Sequence, residues 1–363
     1  MRIGIVTFWD SLDNYGQQLQ LFALSETLVK MGHYPFLIRY DRHREPIKRH
    51  YSKLINPFFV IRKVFGLFQK KTVVKPAIVQ QPSRRFDEFR RLFINQTPRT
   101  YTIKELRNEA PLADVYISGS DQVWREDNPA DFLDFGPDSI KRISYAASFG
   151  VDSFSKESMK KKKKFLRRFQ HISVREEDGL DICKQMGYEK AVCVLDPTLL
   201  FDFNYYKTKF NLVETTPPKK YIFLYLLGDV LGTNVDQIVG FAAENGLEVK
   251  YADTHGQNNS YPKIYPSAIE WLNFVLNSEM VITNSFHGTA FSVILHKKFC
   301  SIRKGESDGR IYTLLNKVNL ADHIYDSNFK YCLETDIDYS DVEKRLEVFR
   351  QYSMNYLENA LIG

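Results

Sequence analysis

Short apolar runs alternate with longer amphipathic stretches along nearly the whole of this 363-residue chain. The first unit has an apolar strand at Arg2–Phe8, a helix with one apolar face at Gln17–Met31 and a second strand at Tyr34–Tyr40. A strand, helix and strand of these lengths predict a parallel, right-handed βαβ unit. Further short strands follow in the same half of the chain, at Asp114–Ser118, Lys141–Ala146, His171–Val174 and Ala191–Leu195. This pattern predicts a doubly wound α/β domain.

A polar connector at Asn211–Lys220 separates this half from a second run of the same alternation, which restarts with a strand at Tyr221–Leu227. The run ends with a helix at Ile311–Val318, and an amphipathic helix over Val342–Leu361 follows. We therefore predict three units: a Rossmann-like N-terminal domain at 1–210, a Rossmann-like C-terminal domain at 211–330, and a tail within 331–363 whose helix packs back on the first domain. Two such domains place ligands in the cleft between them.

Composition is that of a globular protein, with 44% hydrophobic and 14% aromatic residues. The four cysteines are scattered, with no CxxC pair, so a disulfide framework or a zinc site is disfavoured and a reducing compartment is expected. The apolar run Ile3–Val6 is too short for a signal sequence or a membrane span. We therefore expect a cytoplasmic protein.

The formal net charge of +6 comes largely from two local basic blocks. The lysine run Lys160–Lys164, followed by apolar Phe165, Leu166 and Phe169, predicts a solvated helix face. The segment Arg42–Phe68 joins basic residues to a phenylalanine-rich stretch. It is typical either of a helix packed over the first domain or of a segment that contacts an anionic membrane at its inner face. Since no nucleic-acid-binding motif accompanies the charge, we expect no nucleic-acid partner.

The turn 284–288, which contains His287, follows the apolar strand Met280–Thr283 and leads into a predicted helix at Thr289–Leu295. Such a turn brings the free amides and the positive dipole end of a helix beside the histidine. It is therefore suited to bind an anion and to transfer a proton. A single histidine is more often structural, so this interpretation depends on the other turns.

The turn Ser118-Gly119-Ser120-Asp121 follows another predicted strand and leads into Trp124. Its small residues would let backbone approach a ligand, and Asp121 could bind a sugar hydroxyl or act as a base. The indole of Trp124 could stack on a sugar ring. A capped turn with a core tryptophan fits the same pattern equally well.

Two arginines also lie close to predicted strand ends: Arg175, and Arg310 at a helix start. Their guanidinium groups could bind phosphate or carboxylate in bidentate fashion, or Arg175 could pair with Glu176 and Glu177. In the first βα turn, Asn14 and Gly16 precede a helix, and Asn14 is foremost a capping candidate. The chain has no GxGxxG after the first strand, no HExxH and no nucleophile elbow. Dinucleotide binding, metal-dependent hydrolysis and serine chemistry are therefore disfavoured.

As a set, these motifs resemble the polysaccharide pyruvyl transferase family. They occur in the family's order over about residues 3–320 and comprise Asn14-Tyr15-Gly16, Ser118–Trp124, Tyr145–Gly150, Ser173–Glu176, Asp196-Pro197-Thr198, Asn284–Thr289 and Arg310. Many members carry arginine two residues before the histidine, where this chain has Ser285.

The resemblance implies a GT-B-like fold of two Rossmann-like doubly wound domains that face each other across a cleft, with the acceptor on the first and the donor on the second. It implies transfer of a pyruvyl group from phosphoenolpyruvate to two hydroxyls of a sugar, in a surface-polysaccharide or lipid-linked precursor, to form a ketal. No metal or other cofactor is required.

In this scheme His287 and Asp121 are catalytic, and the donor anion binds Arg310 and the Gly288 and Thr289 amides. The full set of substrate-binding residues is Asn14, Gly16, Ser118, Gly119, Ser120, Trp124, Arg175, Asn284, Ser285, Gly288, Thr289 and Arg310. The alternatives are a GT-B glycosyltransferase that uses a nucleotide sugar, and a sugar- or anion-binding module without activity.

Overall fold

The computed structural model describes residues 1–42, 82–228, 235–257, 259–302, 309–325 and 329–362. Its first domain contains six strands and six α-helices within these ranges, and a 3₁₀ turn (Pro197–Leu200) follows the sixth strand. In chain order the elements are β1 (Arg2–Val6), α1 (Tyr15–Lys30), β2 (Tyr34–Leu37), α2 (Phe86–Phe93), α3 (Ile103–Asn108), β3 (Val115–Ser118), β4 (Lys141–Ser144), α4 (Lys156–Leu166), β5 (Ser173–Val174), α5 (Glu177–Gln185), β6 (Val192–Cys193) and α6 (Phe203–Lys209).

The sheet of the first domain is parallel, with strands in the order β2-β1-β3-β4. Single bridges from Ile143 to His171 and from Ala147 to Val174 continue it to β5, which pairs in parallel with β6. The strand order reverses between β1 and β3. In open α/β sheets ligands bind at such a switch point, beyond the carboxyl ends of the strands.

The second domain repeats this arrangement on a smaller scale. Its elements are β7 (Tyr221–Tyr225), α7 (Val235–Glu244), β8 (Glu248–Ala252), α8 (Ala268–Leu276), β9 (Met280–Thr283), α9 (Phe286–Ile294), β10 (Lys298–Ile302), α10 (Gly309–Lys317), β11 (Ile324–Tyr325) and α11 (Phe329–Glu334), and the tail helix α12 (Tyr339–Ile362) follows. The parallel strand order is β8-β7-β9-β10-β11, so the switch point lies between β7 and β9. His287 follows β9 and therefore lies at this switch point.

The start of α1 is held against the second domain. The Tyr15 ring stacks on Trp271 with a centroid distance of 5.5 Å, and its hydroxyl donates to the Pro266 carbonyl at 2.9 Å. Nearby, Arg84 donates to the Asp253 carboxylate across the same interface at 2.7 Å. Since these groups are buried, the first turn of α1 has a defined position relative to the second sheet.

The tail helix α12 contacts both domains. Near its start, Glu343 lies 3.1 Å from the His296 ring of the second domain. Farther along, Arg350 donates to the Leu199 carbonyl at 2.8 Å and Tyr356 donates to the Ser144 carbonyl at 2.9 Å, both in the first domain. Among the described residues, every helix is too short or too polar to cross a bilayer.

Two helices begin earlier than the sequence predicts, because their caps lie earlier. The Asn14 side chain accepts from the Gln17 amide, so α1 begins at Tyr15. The Ser285 hydroxyl accepts from the Gly288 amide at 3.3 Å, so α9 begins at Phe286. His287 therefore lies inside the first turn of the helix and not in a loop before it.

The lysine run forms the predicted solvated helix face with one exception. Lys160, Lys161, Lys163 and Lys164 are exposed, whereas Lys162 is buried and donates to the Asp127 carboxylate at 2.8 Å and to the Arg125 carbonyl at 3.1 Å. Of the predicted membrane-contacting segment, Arg42 pairs with buried Asp131, and residues 43–68 lie outside the described residues.

Candidate active site

Asp196 is the centre of a buried polar cluster where the two domains meet. It follows β6 and caps the 3₁₀ turn, and its Oδ1 accepts from the Thr198 amide at 3.0 Å and from the Thr198 hydroxyl at 2.7 Å. Its Oδ2 accepts from the Ser120 hydroxyl and from Arg175 Nη1, each at 2.7 Å. His287 Nε2, from the second domain, lies 3.6 Å from the same oxygen. One carboxylate therefore joins the turns after β3, β5, β6 and β9.

The charge of Asp196 is stabilised by its neighbours. Burial on its own raises the pKa of this carboxyl. The nearby His287 and Arg175, with the hydrogen bond from Ser120, outweigh burial and hold the pKa of Asp196 well below its usual range. We therefore treat Asp196 as an ionised group at neutral pH.

Arg175 is buried beside Asp196 but is only partly satisfied by it. Its Nη1 group binds Asp196, its Nη2 group lies 3.7 Å from Asp121 Oδ1, and its guanidinium carbon lies 4.4 Å from the centroid of the Phe286 ring. Within the described part of the chain, Nε and Nη2 are buried without a hydrogen-bond acceptor. Since a buried donor without an acceptor costs free energy, these two groups are suited to bind an anion.

His287 packs directly on the first turn of α1. A Cβ atom built on Gly16 would lie 2.1 Å from His287 Nδ1 and 2.4 Å from Cγ, so only glycine allows this approach. The Nε2 edge of the ring faces Asp196, and the Nδ1 edge faces Gly16. The histidine is therefore placed by both domains.

Asp121 lies at the end of the turn after β3 and has a left-handed backbone, with φ of +83°. Such a conformation is strained for a residue other than glycine and often occurs at functional sites. Its Oδ1 accepts from the Gln122 amide at 2.9 Å, whereas Oδ2 is buried without a partner among the described residues. An acceptor oxygen in this state can take a hydroxyl proton from a ligand.

Arg310, in the first turn of α10, lines a cavity of about 10 Å³ together with Arg175, Asp196 and Phe286. A far larger cavity of about 620 Å³ lies at the amino-terminal edge of the second sheet, under the connector between the domains, where Tyr221 and Phe274 line it. We assign the site to the region of the small cavity because Arg175 and Asp196 line it, Asp121 lies 3.7 Å from this arginine and His287 lies 3.6 Å from this carboxylate. No cluster of three metal-ligating side chains occurs among the described residues.

Several residues predicted to bind substrate are instead structural. Trp124 is fully buried, stacks on Phe132 with a centroid distance of 5.5 Å, and donates its indole N–H to the Asp131 carbonyl, so its ring has no face for a sugar. The Ser118 hydroxyl donates to the same carbonyl at 2.7 Å. Gly119 allows close packing, since a Cβ there would lie 3.1 Å from Thr7 Cβ.

In the turn around His287, residues that were predicted to bind substrate also have structural roles. Asn284 exchanges hydrogen bonds with the Leu227 main chain and holds the turns after β7 and β9 together. The amides of Gly288 and Thr289 are bonded to the hydroxyl and carbonyl of Ser285, so the prediction that they bind the donor anion is wrong for this structure. The Ser285 hydroxyl caps α9, a role that an arginine at this position would not fill.

Sequence reasoning missed Asp196 as a site residue. The available signal was Asp-Pro at the carboxyl end of a predicted strand, the same location that marks Arg175. Its importance depends on four chain segments separated by up to 167 positions, from Ser120 to His287, which only the fold brings together.

The site lies in a chain with a clear family match. The family model described as "Polysaccharide pyruvyl transferase" matches residues 14–303, which is most of the chain. The chain therefore belongs to the polysaccharide pyruvyl transferase family, and membership indicates a transferase. No curated protein matches it significantly.

Solved structures share the GT-B fold. A putative UDP-N-acetylglucosamine 2-epimerase from Listeria monocytogenes superimposes with a TM-score of 0.54 at 10% identity, over 98% of this chain and 94% of that one. S. aureus MnaA, solved with UDP, superimposes with a TM-score of 0.51 at 13% identity, over 97% and 91% of the two chains. At these identities the likeness concerns the fold, which is GT-B as the sequence predicts.

Proposed function

We propose that this protein transfers the pyruvyl group of phosphoenolpyruvate to two hydroxyls of one sugar and releases phosphate. The observation that carries the proposal is the buried cluster of Arg175, His287 and Asp121, in which a cationic donor, a proton carrier and a carboxylate each have an unsatisfied polar atom. Family membership supports a sugar acceptor within a glycan or a lipid-linked oligosaccharide.

The donor would bind on the cationic side of the cluster. Arg175 offers Nε–H and Nη2–H, and Arg310 lines the same small cavity. The capping hydroxyl of Ser285 takes the Gly288 amide and leaves the Phe286 and His287 amides without an intrahelical acceptor. Guanidinium groups and a helix N-terminus together suit a ligand that carries both phosphate and carboxylate.

The chemistry requires one proton at carbon and two hydroxyl attacks. The imidazolium of His287 protonates the methylene carbon of the enol, and the first sugar hydroxyl attacks the adjacent carbon. The bond from that carbon to the phosphate oxygen then breaks, and the second hydroxyl closes the ketal. One hydroxyl proton, taken up by Asp121, replaces the proton given to carbon, and the other leaves with inorganic phosphate.

The cluster is closed in this structure. Phosphoenolpyruvate does not fit a cavity of about 10 Å³, so its binding requires the elements around that cavity to move apart. The cavity is lined by residues that follow β5 and β6 in one domain and by α9 and α10 in the other. Relative movement of the two domains is the simplest change that opens it.

The test measures phosphate released from phosphoenolpyruvate by the purified protein, with and without extracted glycan precursors, together with mass spectrometry for the pyruvyl ketal. We expect release only when an acceptor is present. His287→Ala should lower kcat by roughly 10²–10⁴-fold, the usual contribution of a general acid. His33→Ala, a partly buried histidine after α1, serves as the matched control and should keep full turnover.

Two results would contradict the proposal. One is a wild-type protein that consumes a nucleotide sugar with these acceptors but releases no phosphate from phosphoenolpyruvate, which would favour a glycosyltransferase. The other is a folded His287→Ala variant with unchanged kcat, which would remove the histidine from the chemistry. A variant that raises only KM would limit His287 to donor binding.

A further inference from the structure

Asp196 contacts two residues of the proposed reaction, Arg175 and His287. Its side chain is fully buried, and both of its carboxylate oxygens accept hydrogen bonds, from Ser120, Arg175 and Thr198. It cannot itself touch the reacting atoms without losing these bonds. Any contribution to turnover must therefore pass through Arg175 and His287.

The two ring nitrogens of His287 have different surroundings. Nε2 is buried and lies 3.6 Å from an oxygen of Asp196, a carboxylate that can only accept a hydrogen bond. Nδ1 packs against Gly16 in the first turn of α1. The acceptor beside Nε2 favours the tautomer of the neutral ring that carries its proton on Nε2.

We infer that Asp196 is a positioning residue that keeps the His287 proton on Nε2 and so sets the orientation of the ring. The inference rests on the proposed function for the effect of this orientation on turnover, but the tautomer itself does not depend on any activity. The same carboxylate holds Nη1 of Arg175 and so directs Nε and Nη2 of this arginine toward the donor.

The turn that carries Asp196 is hydrogen-bonded to the tail helix α12. The Leu195 amide donates to the Ser353 hydroxyl at 3.0 Å, and Arg350 donates to the Leu199 carbonyl at 2.8 Å. Both ends of the Asp196 turn are therefore anchored to α12. A residue that sets the orientation of others must itself be held in place, and this anchoring provides that.

Asp196→Asn should reverse the tautomer with little change of shape. The oxygen that remains would stay with the two Thr198 donors, which puts the new NH₂ group toward His287 and Arg175. A donor facing Nε2 requires that nitrogen to accept, so the ring proton moves to Nδ1. The same NH₂ group repels Arg175 Nη1, so donor binding should weaken as well.

Proton–nitrogen correlation spectra of protein labelled with ¹⁵N-histidine measure the tautomer directly, at about pH 8.5, roughly two units above the reference pKa of a free imidazole. The chain has 8 histidines, and the His287 signals are assigned by their absence from His287→Ala. We expect Nε2–H in the wild type and Nδ1–H in Asp196→Asn. Asp131→Asn, which breaks another buried carboxylate–arginine pair, is the matched control and should keep Nε2–H.

In the transferase assay, Asp196→Asn should lower kcat by roughly 10²–10⁴-fold and raise KM for phosphoenolpyruvate, whereas Asp131→Asn should do neither. A wild-type ring with its proton on Nδ1 would overturn the inference, and this measurement stands even if Asp196→Asn fails to fold. An unchanged tautomer in folded Asp196→Asn would also overturn it. If the protein has no activity with phosphoenolpyruvate, the proposed function fails but the tautomer result still decides the role of Asp196 as the group that orients His287.

Discussion

Replacing Gly16 by alanine tests whether the two domains meet at His287 as the structure describes. The added Cβ would lie 2.1 Å from His287 Nδ1, 2.4 Å from Cγ and 2.8 Å from Cβ. Since carbon contacts are normally about 3.5–4 Å, either the ring or helix α1 must move by roughly 1.5 Å. His287 is nearly buried, and its ring is held by Phe286, Asp196 and α1, so it has little room to move.

The cost follows from overpacking a buried contact, which destabilises by about 1–3 kcal/mol. The better helix propensity of alanine offsets about 0.5–1 kcal/mol of this. We therefore expect Gly16→Ala to lower the free energy of unfolding by about 1–2 kcal/mol and to reduce kcat, since the histidine is displaced. Gly240, which lies in helix α7 with nothing within 4 Å of an added Cβ, is the matched control, and Gly240→Ala should stabilise the protein slightly.

The assay is a double-mutant cycle of Gly16→Ala with His287→Ala, measured by chemical denaturation and thermal melting. Because His287→Ala removes the ring, Gly16→Ala should cost little or nothing in that background, with a coupling energy of about 1–3 kcal/mol. An equal effect of Gly16→Ala in both backgrounds would show that the two residues do not touch. Full stability and turnover of the single variant would refute the closed arrangement itself.

Two further predictions concern the core and the pH dependence of stability. Trp124→Ala should destabilise by about 3–5 kcal/mol because it removes a fully buried ring, which thermal melting will detect; a variant of normal stability with a raised KM for the acceptor would instead support the sugar-stacking role. The depressed pKa of Asp196 means that its ionisation stabilises the folded state at neutral pH. This contribution is complete above the unfolded value of about 3.9 and is lost as the pH falls below it toward the folded value. The stability difference between wild type and Asp196→Asn should therefore shrink as the pH falls below about 4, and a difference that grows there would contradict this assignment.

The alternation of apolar strands and amphipathic helices determined the fold class by itself. Strands buried on both faces, such as Val115–Ser118 and Met280–Thr283, appear in the sequence as continuous apolar runs, and the helices between them require parallel connections. Polar turns after these strands then mark the carboxyl edges of the sheets, where a doubly wound domain binds its ligands. This local information was sufficient to single out His287, Arg175 and Asp121.

What the turn residues do was decided only by tertiary structure. Trp124 and Asp121 occur three positions apart in one motif, yet the first is a core residue and the second has an unsatisfied carboxylate oxygen in the site. Asp196 is the centre of the cluster because four segments of the chain meet there. Gly16 contacts the His287 ring because the two domains pack against each other at this point. Such roles depend on distances between residues far apart in the chain, and hydrophobic periodicity carries no information about those distances.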